Sequence, residues 1–162
     1  TNNFTTVGLA RYVTTIANSG TCYNLTLVDK IENHNSGAVT VHEAEVRNQI
    51  DMDSAYWNAI HTGMRRVVEG KRYFSDLDVN VAGKTGTAQE NRNRPNHALF
   101  ISYAPYEAPE ISVTVRVANG YSSDYAAQIA KDVYEYYYGL KEESEIITGT
   151  AGTLIGGEIS AD

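Results

Sequence analysis

Apolar and polar residues alternate with a period of two in three successive stretches of the chain, at 79–89, 97–104 and 110–118. Such alternation is typical of strands that bury one face. Pro105 and Pro109 mark a turn between the last two stretches. Because strands joined by short connections usually pair as antiparallel neighbours, the pattern predicts an antiparallel three-stranded meander.

Apolar residues recur at helical spacing in three other stretches. One helix is predicted to begin at Thr5 or Thr6 and to end by Gly20, and another to follow the N-cap cluster at 51–54 and to end at Gly70. A third is predicted to begin near Ser122. The apolar stripes comprise Leu9, Val13, Ile16 and Ala17 in the first helix; Trp57, Ile60, Met64, Val67 and Val68 in the second; and Ala126, Ala127, Ile129, Ala130, Val133 and Tyr137 in the third.

These elements, with short strands predicted between 21 and 41, indicate an α+β fold in which an antiparallel sheet is flanked by helices. A chain of 162 residues, 42% hydrophobic and 20% charged, is long enough for one buried core. Residues 1–139 are assigned to this domain. Residues 140–162 lack an apolar period and are predicted to form a flexible acidic tail, with Glu142, Glu143, Glu145 and Glu158.

Charge, cysteine and histidine content narrow the function classes. A net charge of −7 argues against nucleic acid as a partner. No apolar run of 18 residues and no signal-like N-terminus are found, so we expect no part of this chain to enter a membrane, which says nothing about a parent chain. Cys22 is the one cysteine and is expected to be a buried thiol. The four histidines lack the paired spacing of metal ligands, so neither a metal nor a cofactor is expected.

The candidate chemistry lies in the run A-G-K-T-G-T-A-Q at residues 82–89. On a strand, Lys84 and Gly86 would share one face and Thr85 would point to the other. A lysine beside threonines, with no side chain at Gly86, predicts a shallow cationic ledge that a ligand backbone can approach closely. An ordinary solvated lysine is the alternative for Lys84, but a charge between two glycines has no packing reason.

A phosphate-binding loop is the competing interpretation of Gly83-Lys84-Thr85, since such loops read G-x-x-x-x-G-K-[ST]. The first glycine would fall at position 78, which is Asp78. A helix should also follow directly, whereas the polar run from Glu90 closed by Pro95 is typical of a loop. The sequence therefore favours a K-T-G strand over nucleotide binding.

The run at 82–89 resembles the transpeptidase domain of class B penicillin-binding proteins. The helix ending A-N-x-G at 17–20, the segment G-M-R-R-V-V at 63–68 and H-A-L-F at 97–100 resemble the same domain. Two departures lie in the first helix, where Thr6 and Gly8 stand in place of the family's usual proline and glutamine. The resemblance covers roughly residues 5 to 138, and it implies part of a transpeptidase or β-lactamase-like fold.

Two further motifs of that family are absent from this sequence. No serine is followed by lysine three residues later, as S-x-x-K requires, or by asparagine two residues later, as S-x-N requires. In the family both motifs precede the helix that opens this chain. The resemblance therefore implies the C-terminal half of a peptidoglycan D,D-transpeptidase domain, which alone would lack the serine nucleophile and be inert.

The resemblance also implies roles for the strand residues. Lys84 would be catalytic, supplying positive potential to the proton-transfer network, and the hydroxyls of Thr85 and Thr87 would bind the substrate carboxylate. Gly86 would keep the strand open, and the backbone N–H of Thr87 would donate to the oxyanion. The implied partners are the D-alanyl-D-alanine stem peptide, β-lactams and the upstream half of the domain, outside the bacterial membrane on an anchor in the parent chain.

Two expectations complete this interpretation. Without the upstream half, a bare sheet edge and part of one face would favour a homodimer. The alternative to a transpeptidase is a binding module, either half of a β-lactam sensor or a degenerate domain kept for protein contacts.

Overall fold

The structure is a computed structural model that describes residues 4–90 and 92–147. Most of the segment predicted as a tail, residues 148–162, lies outside the described residues. In chain order the elements are helix α1 (Thr6–Ala17), strands β1 (Thr21–Tyr23), β2 (Lys30–Glu32), β3 (Val39–Val41) and β4 (Val46–Gln49), helix α2 (Ser54–Glu69), a 3-10 helix (Arg72–Phe74), strands β5 (Ala82–Ala88), β6 (His97–Ala104) and β7 (Ile111–Val117), and helices α3 (Ser123–Tyr137) and α4 (Glu143–Ile146).

Strands β5, β6 and β7 form the predicted antiparallel meander, in that order. The α+β fold predicted from the sequence is thereby confirmed. Strand β5 is shorter than the predicted 79–89, because the regular pairing with β6 begins at Ala82, opposite Tyr103. Before it, the carbonyl of Val81 accepts a hydrogen bond from the Arg65 guanidinium at 3.0 Å, and the carbonyl of Asn80 accepts the N–H of Tyr106 at 2.7 Å.

Helix α3 covers one face of this sheet. Because paired residues of antiparallel strands lie on the same face, Gly83 and Thr85 share this face with Phe100 and Val113. The fully buried Tyr134 of α3 donates its hydroxyl to Ser102 at 2.8 Å. The α3 side of the core contains Val68, Phe74, Val81, Ala98, Phe100, Ala104, Val113, Ala126, Ala127, Ala130 and Tyr134.

Helices α1 and α2 cover the opposite face. Val13 and Ile16 of α1 and Met64 of α2 pack on Ala82 and Tyr103. The side chain of Thr5 accepts the N–H of Gly8 as the N-cap of α1, as the sequence predicts.

The apolar face predicted for α3 is only half right. Ala126, Ala127 and Ala130 are buried, but Ile129, Val133 and Tyr137 are exposed. The buried stripe runs instead through the alanines to Tyr134, because small residues let the helix lie against Phe100. Lys131 and Glu135 take the adjoining buried positions, which they tolerate because they pair with each other at 2.9 Å.

The segment between α1 and α2 forms two small antiparallel sheets, β1 with β4 and, between them in the chain, the hairpin of β2 with β3. The short strands predicted between 21 and 41 are confirmed here. Inside the segment predicted as a flexible tail, Glu143–Ile146 forms one helical turn with a capping box between Glu142 and Glu145. The boundary at residue 139 stays a prediction.

Candidate functional site

The K-T-G residues lie on β5, which is an edge strand within residues 4–90 and 92–147. Lys84 and Gly86 point to the α1 side, and Thr85 and Thr87 point to the α3 side. Because β5 has β6 on one side only, its other side presents a row of backbone N–H and C=O groups in the described fold. Side chains from both faces therefore flank one line of available backbone donors and acceptors.

Lys84 is exposed, two residues after the buried Ala82. Its Nζ donates to the carbonyl of Thr85 at 2.7 Å. Within the described ranges no carboxylate lies at ion-pair distance from this ammonium. The positive charge of Lys84 is therefore held at the strand edge without neutralisation by the described fold.

The two glycines of the motif differ in what surrounds them. A Cβ added to Gly83 would lie 2.4 Å from Cζ of Phe100, so the buried ring requires glycine there. A Cβ added to Gly86 would meet only Leu99, with a nearest contact of 3.4 Å, which is ordinary van der Waals contact. Nothing in the described fold requires glycine at position 86, since a methyl group would fit there in contact with Leu99.

Arg65 of α2 anchors the beginning of β5. Its Nη1 donates to the carbonyl of Val81 at 3.0 Å and its Nη2 to Oδ1 of Asn80 at 2.8 Å. Glu69, one helical turn later, lies 3.3 Å from Nε of Arg65 and holds the guanidinium in place. Sequence reasoning missed this contact, because Arg65 reads as one of two adjacent surface arginines and its partners are 15 and 16 residues away.

His97 lies at the other end of β5, opposite Ala88. Its side chain is buried, with the residue 8% exposed, and it contacts Glu90 through Nε2 at 2.8 Å. Its Nδ1 accepts the backbone N–H of Asn119 at 3.1 Å. The register of the β5–β6 hairpin, which places His97 opposite Ala88, is the information from which the position of His97 beside the end of β5 can be predicted.

A cavity of about 710 Å³ adjoins this exit, on the α1 side of the sheet. Its lining includes Leu9, Glu90, His97, Leu99 and Arg116. A second cavity, of about 250 Å³, lies under the beginning of β5 beside Arg65, Lys71 and Asn80. Neither cavity is lined by the K-T-G residues, which lie on the open edge between the two.

The structure places all four predicted site residues, Lys84, Thr85, Gly86 and Thr87, within one strand of seven residues. It brings no described serine within hydrogen-bond distance of Lys84, whose Nζ donates to the Thr85 carbonyl. In the part of the chain that the structure describes, no group of three His, Cys, Asp or Glu side chains could hold a metal ion. The described site is thus an open strand edge that carries a cation and backbone hydrogen-bonding groups.

An antiparallel sheet with a cationic K-T-G edge strand and helices on both faces defines the class of penicillin-interacting proteins. The family model of the penicillin binding protein transpeptidase domain matches residues 2–135. The chain belongs to this family.

Relatives and solved structures agree with that assignment. Penicillin-binding protein 2A of Bacillus subtilis is 30% identical over 166 residues, which cover 89% of this chain and 23% of that protein. The peptidoglycan D,D-transpeptidase MrdA of Haemophilus influenzae is 39% identical over 103 residues, 51% of this chain and 16% of that protein. The chain therefore spans less than a quarter of the length of these relatives.

Among solved structures, the imipenem acyl-enzyme complex of penicillin-binding protein A from M. tuberculosis matches with a TM-score of 0.71 and 28% identity, over 83% of this chain and 31% of that one. PBP2 of Pseudomonas aeruginosa matches with a TM-score of 0.65 and 31% identity, over 86% of this chain and 31% of that one. Both are far longer than the chain described here.

Proposed function

We propose that this chain supplies the K-T-G strand of the active site of a peptidoglycan D,D-transpeptidase. The observation that carries the proposal is the exposed Lys84, which no described carboxylate neutralises, on an edge strand where Gly86 presents no side chain. Relatives named as peptidoglycan D,D-transpeptidases and a neighbour captured as an acyl-enzyme support it.

In this proposal a stem peptide ending in D-alanyl-D-alanine lies antiparallel along the free edge of β5. Strand addition satisfies the backbone groups of the edge and aligns the scissile carbonyl with the N–H of Thr87. The hydroxyls of Thr85 and Thr87 hydrogen-bond the terminal carboxylate. Lys84 raises the positive potential at that carboxylate and at the proton-transfer network.

The covalent step belongs to the upstream half of the domain, which would carry the nucleophilic serine. Its Oγ attacks the carbonyl between the two D-alanines, loses its proton to a neighbouring base, and displaces D-alanine as the leaving amine. A β-lactam enters the same step, and its ring amide opens on the serine. The chain of residues 1–162 is then expected to be inert alone, since a K-T-G strand supplies donors but no nucleophile.

Fluorescent penicillin tests the proposal directly. The chain alone should take up no covalent label, whereas the parent protein with the upstream half should be labelled. In the parent, Lys84→Ala should slow acylation by at least about 10²-fold, because the lysine acts on the charge that develops in the transition state. Lys30→Ala, an exposed lysine on β2, is the matched control and should acylate at the normal rate.

Covalent labelling of the chain alone, or normal acylation of the Lys84→Ala parent, would overturn the assignment. A β-lactam sensor or a degenerate module would behave differently from a transpeptidase. The sensor would be labelled yet would not cross-link stem peptides, and the degenerate module would not be labelled. Release of D-alanine from a stem pentapeptide therefore separates the three.

The site of action follows from the substrate. Peptidoglycan is assembled outside the cytoplasmic membrane, so we infer that the parent acts there through an anchor elsewhere in its chain. Of the helices in residues 4–90 and 92–147, none combines the length and apolar character needed to cross a bilayer.

A further inference from the structure

The His97 ring has a tautomer fixed by its contacts. A backbone N–H can only donate, so Nδ1 of His97, which lies 3.1 Å from the Asn119 nitrogen, must be the acceptor. The ring proton then lies on Nε2 and is donated to the Glu90 carboxylate at 2.8 Å. His97 therefore links the turn at Asn119 to the segment at Glu90 through its two ring nitrogens.

The turn at residues 119–121 is tightly packed. Asn119 and Tyr121 both have positive φ, 52° and 61°, and the N–H of Tyr121 donates to the carbonyl of Asn96 at 3.2 Å. Between them, Gly120 lies so close to Val117 and Ala98 that an added Cβ would be 2.8 and 2.9 Å away. This turn is thus packed tightly against the first residues of β6.

The segment at residues 86–90, which comprises the end of β5 and the two residues after it, has few packing contacts. From Gly86 to Ala88 the strand carries small side chains, and Thr87, Ala88 and Gln89 are exposed. Few apolar contacts are available there to oppose fraying, so directional hydrogen bonds have more influence on the backbone. The charge-assisted bond from His97 to Glu90 links this segment to the sheet, two residues beyond the end of β5.

We propose that His97, acting through Glu90, is a positioning residue that holds the exit of β5 in register for the oxyanion. The inference rests on the proposed function, in which the N–H of Thr87 is the donor. Thr87 lies opposite Ala98, and the next pair along the ladder is Ala88 with His97. A shift of the exit would be transmitted to the Thr87 amide one residue away, where a small misplacement costs rate.

Variants of the parent protein separate this role from simple stability. Glu90→Ala removes the acceptor, and Glu90→Gln keeps an acceptor oxygen for the Nε2 proton. His97→Asn keeps an oxygen near the position of Nδ1 for Asn119 but is too short to reach Glu90. Glu43→Ala, an exposed glutamate in the segment between α1 and α2, is the matched control.

Acylation by penicillin is resolved into the dissociation constant of the non-covalent complex and the acylation rate constant. We expect Glu90→Ala and His97→Asn to lower the rate constant roughly threefold to tenfold with the dissociation constant little changed, and Glu90→Gln to restore most of the loss. The double variant should be no slower than either single one, because both break the same contact.

Rate constants of Glu90→Ala and His97→Asn equal to that of Glu43→Ala would overturn the positioning role while leaving the proposed function intact. If the unmodified parent is not labelled at all, the proposed function fails, and hydrogen exchange decides the positioning separately. Exchange of the backbone amides over residues 86–90 should be faster in Glu90→Ala than in Glu43→Ala. Equal exchange would refute the link between His97 and the strand exit.

Discussion

At the scale of single residues, two lysines show how context separates structure from function. Lys131 is buried, and its pKa is raised: burial acts to lower it, but hydrogen bonds to Glu135 and Asp76 outweigh that effect. Lys84 is exposed, and its Nζ bonds a backbone carbonyl. The described fold does not neutralise the charge of Lys84, which is therefore available to a ligand. The charge of Lys131 is neutralised by Glu135 and Asp76, and the contact with Asp76 links α3 to the loop that contains it.

His61 gives a prediction about pH. On α2, it contacts the hydroxyl of the buried Tyr103 through Nδ1 and Ser19 through Nε2, at 3.2 Å for the latter. Burial lowers the pKa of His61 below its ordinary value of 6.5. Between the lowered value and 6.5 the unfolded chain binds a proton that the folded chain does not, so the free energy of unfolding should decrease as the pH falls through this window.

Urea unfolding at a series of pH values measures that decrease. The urea midpoint of the wild-type chain should fall on acidification below about pH 6.5, and His61→Asn should flatten the dependence because it removes the titrating ring. His34→Asn, in the exposed turn between β2 and β3, serves as the control and should keep the wild-type slope. An unchanged slope in His61→Asn would contradict the prediction.

At the scale of elements, β5 is held at both ends and left open in the middle. Arg65 bonds the chain before Ala82, and His97 bonds the chain after Ala88. Between them, Gly83 lets the strand lie directly on Phe100. The K-T-G residues thus occupy an edge whose position is fixed by contacts outside the motif.

Gly83→Ala should destabilise the chain by about 1–3 kcal/mol, because the added methyl group enters the space of the buried Phe100 ring. Gly63→Ala is the matched control, since no atom lies within 4 Å of the added Cβ on α2. That substitution should be neutral or stabilising by up to about 1 kcal/mol, given the higher helix propensity of alanine. Equal unfolding free energies for the two variants would show that β5 shifts away from Phe100 at no cost.

The meander, the caps and the K-T-G strand were predictable from local sequence, because each rests on periodicity or on neighbours within four residues. Which side of α3 faces the sheet was not predictable in this way. Ile129 and Val133 are more apolar than Lys131 and Glu135, yet Lys131 and Glu135 are buried. Contacts such as Arg65 with Val81 and Tyr134 with Ser102 join residues far apart in sequence. Those contacts depend on tertiary packing, which a periodic pattern does not encode.

At the scale of the whole molecule, two apolar or unpaired surfaces stand out among the described residues. One is the free edge of β5. The other is an exposed apolar stripe on α3, defined by Tyr125, Ile129, Val133 and Tyr137, which are each between 39% and 58% exposed. Such surfaces favour association when the chain is alone. In the parent we expect the upstream half to cover the α3 stripe, while the free edge of β5 stays available to the stem peptide of the proposed function.

We therefore expect residues 1–162 to self-associate when the upstream half is missing. Sedimentation velocity should show dimers or exchanged strands that increase with concentration, because pairing two β5 edges or two α3 stripes removes unpaired backbone or apolar area from water.

The double substitution Ile129→Glu and Val133→Lys places a favourable ion pair at i, i+4 and keeps the helix while making the stripe polar. It should weaken dimers that form through α3 and leave those that form through β5, whereas Leu27→Lys, on a fully exposed residue before β2, should change neither. The parent protein should be less prone to associate than the chain alone. A strict monomer of residues 1–162 at high concentration would show that both surfaces are stable in water by themselves, and the expectation of a homodimer would be wrong.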